Sequence, residues 1–334
     1  MIEAMEIAKI FKEYGFNVDI ADYDYEGFID YDKYNFIFGF GEPFVKSFYG
    51  RASKIISIYY ATGMSINTQN INGLKQVENF YNRKGIYLPS SARLYEKAWT
   101  IQYSLSDAII ALGNQYAGES FKKISDKKVY ILHPSFIKLY NFNDIIKERN
   151  FDQAKRNFLW FASSGMIHKG LDLLLDVFKE LKDLNLHICA PLNKEPEFMK
   201  LYKEELSSQN IHFYGFISLK SELFKELISK CAAVVYPSCS EGGSPSVLNV
   251  CGNGGLIPLV SKEATVDVNG FGYTFDSLDT RTIEKQILQV SQSDISILKE
   301  KSVLSGKIIS EQYSLNNFRD NLKSIIAEIL KTAF

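Results

Sequence analysis

Residues 236–260 read Y-P-S-C-S-E-G-G-S-P-S-V-L-N-V-C-G-N-G-G-L-I-P-L-V, a series that predicts strand, polar loop, helix and second strand. The apolar run ending at Pro237 has the length and continuity of a strand covered on both faces. Gly242, Gly243 and Ser244 free the backbone for close approach, and Pro245 with Ser246 opens a helix. The unpaired amides of a first helical turn suit an anion such as a diphosphate. Glu241 beside them can accept two hydroxyl hydrogen bonds from a polyol. The same residues also fit a plain glycine-rich turn with an exposed glutamate.

Working outward, residues 158–172 (F-L-W-F-A-S-S-G-M-I-H-K-G-L-D) predict a strand, a small-residue loop and a helix starting near Lys169 and Gly170. A lysine there is a point charge for phosphate or a solvated surface residue. Around these two loops, strands are predicted at 158–162, 186–190, 211–214, 232–236 and 256–260. Helices are predicted at 171–184, 197–207, 221–229, 246–251 and 282–292. Such alternation is the pattern of a doubly wound parallel α/β sheet, which binds ligands at the carboxyl ends of its strands.

The first half is less regular. A helix over 2–14 capped by Gly15 precedes predicted strands at 17–21, 35–40, 55–60, 108–112 and 129–132, with a crossover helix over 94–105. The expected organisation is an N-terminal Rossmann-like acceptor domain (1–135), a linker (136–157), a C-terminal domain (158–310) and an amphipathic C-terminal helix (311–334) packing back on the first domain. A length of 334 residues suits two such domains.

Composition narrows the function. The chain is 46% hydrophobic and 14% aromatic, enough apolar surface to exclude a disordered chain. With 38 basic and 39 acidic side chains it has no overall attraction for nucleic acid, and none is expected as a partner. Cys189, Cys231, Cys239 and Cys251 lack zinc spacing and read as buried thiols of a reducing compartment. No signal peptide or apolar run of about 18 residues is visible, so the expected location is cytoplasmic. Asp22 and Asp24 form a D-Y-D in an acidic run far from the loops above, and no metal or other cofactor is expected. Residues 46–97 hold eight bases (Lys46, Arg51, Lys54, Lys75, Arg83, Lys84, Arg93, Lys97) against Glu78 and Glu96. That stretch is a solvated face or a contact with a phosphate-bearing acceptor or the inner membrane surface.

Taken together, S-S-G-M-I-H-K-G, I-H-F-Y-G-F, P-S-C-S-E-G-G-S-P-S-V-L-N and C-G-N-G-G-L-I-P-L-V-S stand in the order found in the group 1 (family 4) retaining glycosyltransferases. The resemblance covers about residues 158–275 and implies a GT-B fold of two Rossmann-like domains facing a cleft. It implies transfer of a hexose-like sugar from a nucleoside-diphosphate sugar to a glycan or lipid-linked acceptor, in surface polysaccharide synthesis. By resemblance Glu241 contacts the transferred sugar and Lys169 neutralises the leaving phosphate. Gly242, Gly243 and Ser244 offer amides to the sugar, Ser246 and Val247 hold the diphosphate, and Gly215 with Phe216 cradles the base.

Three positions depart from the family pattern. Asn249 stands where a second glutamate grips the ribose, and Ser164 replaces an arginine five places before Lys169, with His168 a substitute cation if protonated. The donor-touching histidine of the N-terminal domain has no counterpart; the only histidine of the first half is His133. These departures keep open a weakened binding or scaffold subunit on the same fold, and an epimerase-like or phosphorylase-like enzyme is the third reading. Such proteins also begin with a strand and a glycine-containing loop, whereas this sequence enters a helix at once. The missing strand is central in the order 3-2-1-4-5, so the expectation is a start site lying upstream or a strand supplied from elsewhere.

Overall fold

A computed structural model describes residues 2–49, 55–91, 93–97 and 99–333. Among the described residues, ten strands form two parallel sheets. In the first half lie Phe36–Gly39 (β1), Ile56–Ala61 (β2), Ala108–Leu112 (β3) and Lys128–Leu132 (β4), ordered β1-β2-β3-β4. In the second half lie Asn157–Phe161 (β5), Asn185–Cys189 (β6), Ile211–Phe213 (β7), Ala233–Tyr236 (β8), Ile257–Ser261 (β9) and Tyr273–Phe275 (β10). Their order is β10-β9-β8-β5-β6-β7, so the chain reverses direction between β5 and β8. β3, β8 and β9 are buried at every position, which is why they read as unbroken apolar runs.

Residues 17–21, expected as a strand, form no strand and pair with no ladder. Phe16 and Val18 pack instead against the cluster that holds Phe11 and Phe36. The sheet order places β1 at an edge, and no strand precedes it among the described residues. Among the described residues of the expected crossover helix over 94–105, only Ile101–Leu105 are helical. The crossover from β2 to β3 is made by the helix Ile66–Lys84, capped by the Ser65 hydroxyl, which accepts from the Thr68 amide, and ended by Gly85. Phe80 of this helix and Leu88 beyond it belong to the hydrophobic core of the second half, so the crossover docks one domain on the other.

The expected linker carries two helices, Phe142–Glu148 and Phe151–Ala154. Arg149 between them is buried and donates to the carbonyls of Ile228 (2.6 Å), Gly254 and Gly255, and to the Ser302 hydroxyl. Burial lowers its pKa to about 10; four acceptors on its two terminal nitrogens offset the cost of the buried cation, while Nε has no hydrogen-bond partner. The helix Leu315–Ala333 returns to the first half. Phe318, Leu322, Ile326 and Ile329 join Ile10, Phe11, Ile58 and Ile110 in one core, and Arg319 reaches Glu6 at 2.9 Å. All four cysteines are buried thiols.

Burial also drives all four histidines towards the neutral form: His133, His168, His187 and His212. The His187 pKa falls to about 3, with Tyr214 Oη and Asn157 Oδ1 each 2.9 Å from its ring nitrogens. An unfolded histidine titrates near 6.5, so below that pH the unfolded chain binds more protons than the folded one. The stabilisation is complete above pH 6.5 and is lost as pH falls towards 3. For His187 alone the loss at pH 5 is about 2 kcal/mol. Urea unfolding at pH 7.5 and pH 5 is expected to show this difference shrinking by that amount in His187→Gln. An unchanged pH dependence in the variant contradicts the assignment.

Candidate active site

The reversal between β5 and β8 opens a crevice at the carboxyl ends of both strands, where doubly wound sheets bind ligands. Lys169 comes from the β5 side. Its backbone N–H donates to Gly165 O at 2.9 Å, its carbonyl accepts from the Trp160 indole, and Gly170 follows at φ +71° before the helix Leu171–Glu180. The side chain is thereby held in the crevice, only 4% exposed. Its Nζ donates to Ser163 Oγ at 3.0 Å, stands 3.5 Å from Glu241 Oε1 and lies 5.7 Å from the centre of the Tyr236 ring.

Glu241 comes from the β8 side. Its Oε1 accepts from Tyr236 Oη (2.9 Å) and Ser238 Oγ (2.8 Å), which fixes the carboxylate facing Lys169. Burial opposes the charge on both partners. For Glu241 the neighbouring cations, Lys169 first, outweigh it and hold the carboxyl below its usual range. For Lys169 burial dominates and pulls the ammonium down, although Glu241 restrains the fall. The product is a carboxylate and a desolvated amine side by side, a pair suited to hydroxyl recognition and to meeting negative charge.

Glycine is required twice in the adjoining loop. A methyl group on Gly242 would overlap the Thr62 carbonyl oxygen and lie 2.9 Å from Gly63 Cα, so the first domain sits directly on this residue. Gly243 has φ +78° and a methyl there would overlap the Pro134 ring. The Gly243 N–H already donates to Thr265 Oγ1 at 2.6 Å, and the Val247 N–H to Ser244 O at 2.9 Å. Of the amides expected to face a ligand, those two are therefore engaged within the protein. Ser244, at φ +41°, spends its hydroxyl on Ala264 O at 2.7 Å. Ser246 is half-buried in the first turn of Pro245–Gly254.

Three expectations need correction. His168 is 1% exposed, with Ser240 O 2.8 Å from Nε2 and Cys239 Sγ 3.3 Å from Nδ1. Burial lowers its pKa, so it braces the 239–241 loop as a neutral ring and is neither surface nor a substitute cation. Asn249 spends its carboxamide inside the protein: Oδ1 accepts the Ile137 amide (2.8 Å) and Nδ2 donates to Pro245 O (2.8 Å). With Asn253 one turn later, which binds Leu139, Tyr140 and Ile137, it clamps residues 137–140 to the helix. The basic stretch is not one solvated face. Arg83 pairs with Asp172 and Asp176, Lys84 with Asp176 (2.6 Å) and Lys97 with Glu42 (2.8 Å), while Arg51 and Lys54 lie outside the described residues.

Ser164 is half-buried beside Gly165. Gly215 (φ +76°) and Phe216 follow β7, and the Phe216 ring is 77% exposed, free to stack on a flat ligand. His133 follows β4, stacks on Tyr313 at 4.8 Å and so ties the two halves together. Ser163, Tyr236 and Ser238, the three hydroxyls that set the Lys169–Glu241 pair, are not among the expected site residues, though all lie within the quoted stretches. A cavity of about 230 Å³ adjoins the 239–241 loop at Cys239, between Asn72, Lys75 and Asn79 of the crossover helix and Lys262, Glu263 and Asp276 after β9 and β10. Among the described residues no group of three or more His, Cys, Asp or Glu gathers as a metal site, and no helix is long and apolar enough to cross a membrane.

Residues 142–289 match the family described as glycosyl transferases group 1. No curated protein matches the chain. Among solved structures it is similar to HepE of Anabaena, crystallised with UDP and glucose, at TM-score 0.60 and 14% identity over 89% of this chain and 79% of HepE. A glycosyltransferase of Rickettsia africae ESF-5 gives TM-score 0.58 and 14% identity, covering 98% of this chain and 80% of that one. TarM gives TM-score 0.60 and 15% identity over 87% of this chain but 54% of TarM, so the chain spans about half of that protein. The fold is GT-B-like.

Proposed function

We propose that this chain, a GT-B-like protein with a group 1 glycosyltransferase domain over residues 142–289, moves a hexose-like sugar from a nucleoside diphosphate to an acceptor hydroxyl with retained anomeric configuration. The observation that carries the reading is the Lys169–Glu241 pair at the reversal point of the second sheet, with first-domain residues Thr62 and Gly63 packed on the adjoining Gly242. Glu241 accepts hydroxyls of the sugar. Lys169 meets the charge that grows on the leaving phosphate, a role whose worth rises in a water-excluded site.

The bond between the anomeric carbon and the phosphate oxygen breaks, and a bond to the acceptor oxygen forms on the same face. The acceptor's proton goes to the departing phosphate, so no protein nucleophile takes part. The transition state resembles an oxocarbenium ion, as in glycoside cleavage generally. Phe216 stacks on the base, and the Ser246 amide faces the diphosphate. The acceptor is a glycan or lipid-linked hydroxyl, which fits a role in surface polysaccharide synthesis.

A non-catalytic binding subunit is the second reading, favoured by Ser164 and by the Asn249 carboxamide being spent on residues 137–140. Incubation with UDP-glucose and candidate acceptors, followed by proton NMR of the product, separates the two. The expected product keeps the donor's anomeric configuration. An inverted product, or binding without turnover on any acceptor tried, contradicts retaining transfer.

A further inference from the structure

Ser164 leaves the β5 loop one cation short of the family pattern, and His168 cannot supply it. The structure brings another cation to the same spot from the first domain. Residues 85–91 and 93–97 form a strap between the crossover helix and Ile101–Leu105, and the strap is tied to both domains. On the first-domain side, Gln69 Nε2 donates to Arg93 O (3.3 Å), and Asn70 exchanges two hydrogen bonds with the Tyr95 backbone (2.8 and 2.9 Å). On the second-domain side, Ser91 Oγ donates to Glu195 Oε2 at 2.8 Å and Ser90 Oγ to Glu197 at 3.1 Å. The Glu195 carboxylate in turn accepts the amides of Gly165 (2.5 Å) and Met166 (3.2 Å). One carboxylate thus locks the strap against the loop that carries Ser164.

Arg93 sits at the crown of the strap in the left-handed region, φ +49°, a conformation that non-glycine side chains adopt only when their surroundings impose it. Its aliphatic stem lies on Gly165: a methyl group there would overlap Arg93 Cδ and stand 2.9 Å from Cγ. The guanidinium's field reaches the crevice, where it favours the ionised Glu241 and disfavours charge on Lys169 and His168. Among the described residues no carboxylate forms an ion pair with Arg93, whereas Arg83 and Arg319 each have two. The side chain is exposed at the crevice mouth. An exposed arginine with no ion-pair partner among the described residues, held in a left-handed backbone and laid over the loop glycine, is placed for a ligand anion.

We propose that Arg93 binds the diphosphate of the donor, supplying from the first domain the guanidinium that Ser164 removes from the second. The cation set for the leaving group is then complete only when the domains are closed, which couples donor binding to exclusion of water. This assignment rests on the proposed nucleotide-sugar site.

The test is calorimetric titration of UDP, GDP and ADP, and of the nucleoside whose diphosphate binds, into the wild type, Arg93→Ala and the double variant Arg93→Ala with Ser164→Arg. A charge-assisted hydrogen bond is worth about 1.5–3 kcal/mol, so Arg93→Ala should weaken the diphosphate about 10- to 100-fold. The nucleoside should bind unchanged, and Ser164→Arg should recover about tenfold or more of the lost diphosphate affinity. An unchanged diphosphate affinity in Arg93→Ala, or an equal loss for nucleoside and diphosphate, overturns the proposal. A wild type that binds a nucleoside diphosphate yet transfers no sugar retires the transferase reading and leaves Arg93 standing. A wild type that binds none of the three overturns both.

Discussion

Glu241→Gln is expected to lower kcat/KM for sugar transfer by about 10²- to 10³-fold without unfolding the protein. Glutamine keeps the length of the side chain and an oxygen that can still accept from Tyr236 Oη and Ser238 Oγ. What it removes is the negative charge, and with it the charge-assisted hydrogen bonds to sugar hydroxyls. A second effect identifies the cause. Burial depresses the Lys169 ammonium and Glu241 restrains that fall, so the variant's amine should lose its proton at a lower pH. The alkaline limb of the pH–rate profile should therefore move down. Turnover within threefold of wild type, or an unmoved limb, contradicts the role given to Glu241.

Lys169→Met is expected to lower kcat/KM by a similar factor of about 10²–10³, for the complementary reason. Methionine fills the volume over the Tyr236 ring but brings no charge to the leaving phosphate. It also removes the first of the cations that hold Glu241 ionised against its burial, so the acid limb of the profile should move up. Breaking one side of a buried pair also destabilises the fold, because the remaining charge is left without its partner. Combining Lys169→Met with Glu241→Gln is expected to recover part of the stability lost in Lys169→Met while restoring no activity. Urea midpoints and initial rates on the four proteins make the cycle. Activity losses that simply multiply in the double variant would mean the two groups act on separate steps.

Much of the second half is legible in its residues because buried parallel strands are continuous apolar runs. β5, β6, β8 and β9 lie within one residue of their predicted bounds. The pair Lys169 and Glu241 is legible for a different reason: both lie in the loops that leave the carboxyl ends of β5 and β8, and glycines beside them mark a backbone that must approach something closely. The first half is harder. Ile66–Lys84 carries Asn, Gln and Gly among its apolar positions, and Gln69 and Gln76 are buried, so the apolar stripe is thin. Ser65 and Gly85, its two caps, were the available signal. Residues 17–21 alternate as a strand should, yet alternation makes a strand only where a neighbouring edge exists to pair with.

Side-chain commitments are beyond such reading. Nothing in the spacing of Asn249 tells whether its amide turns to a ribose or to the backbone of residues 137–140; the structure turns it to the latter. His168 beside Lys169 looks like a second surface base, and only the closure of the 239–241 loop over it makes it a neutral brace. Arg93 belongs to a segment with no motif at all, and its place over Gly165 follows from the Ser91–Glu195 tie between domains.

The most direct measurement is release of nucleoside diphosphate from a panel of UDP-, GDP- and ADP-sugars, wild type and Glu241→Gln side by side, with and without an acceptor. One donor class is expected to be consumed by the wild type, faster with acceptor, and the variant to lose this release by about two orders of magnitude or more. Release that proceeds equally in both proteins would contradict sugar transfer through Glu241, as would a wild type that consumes none of the donors.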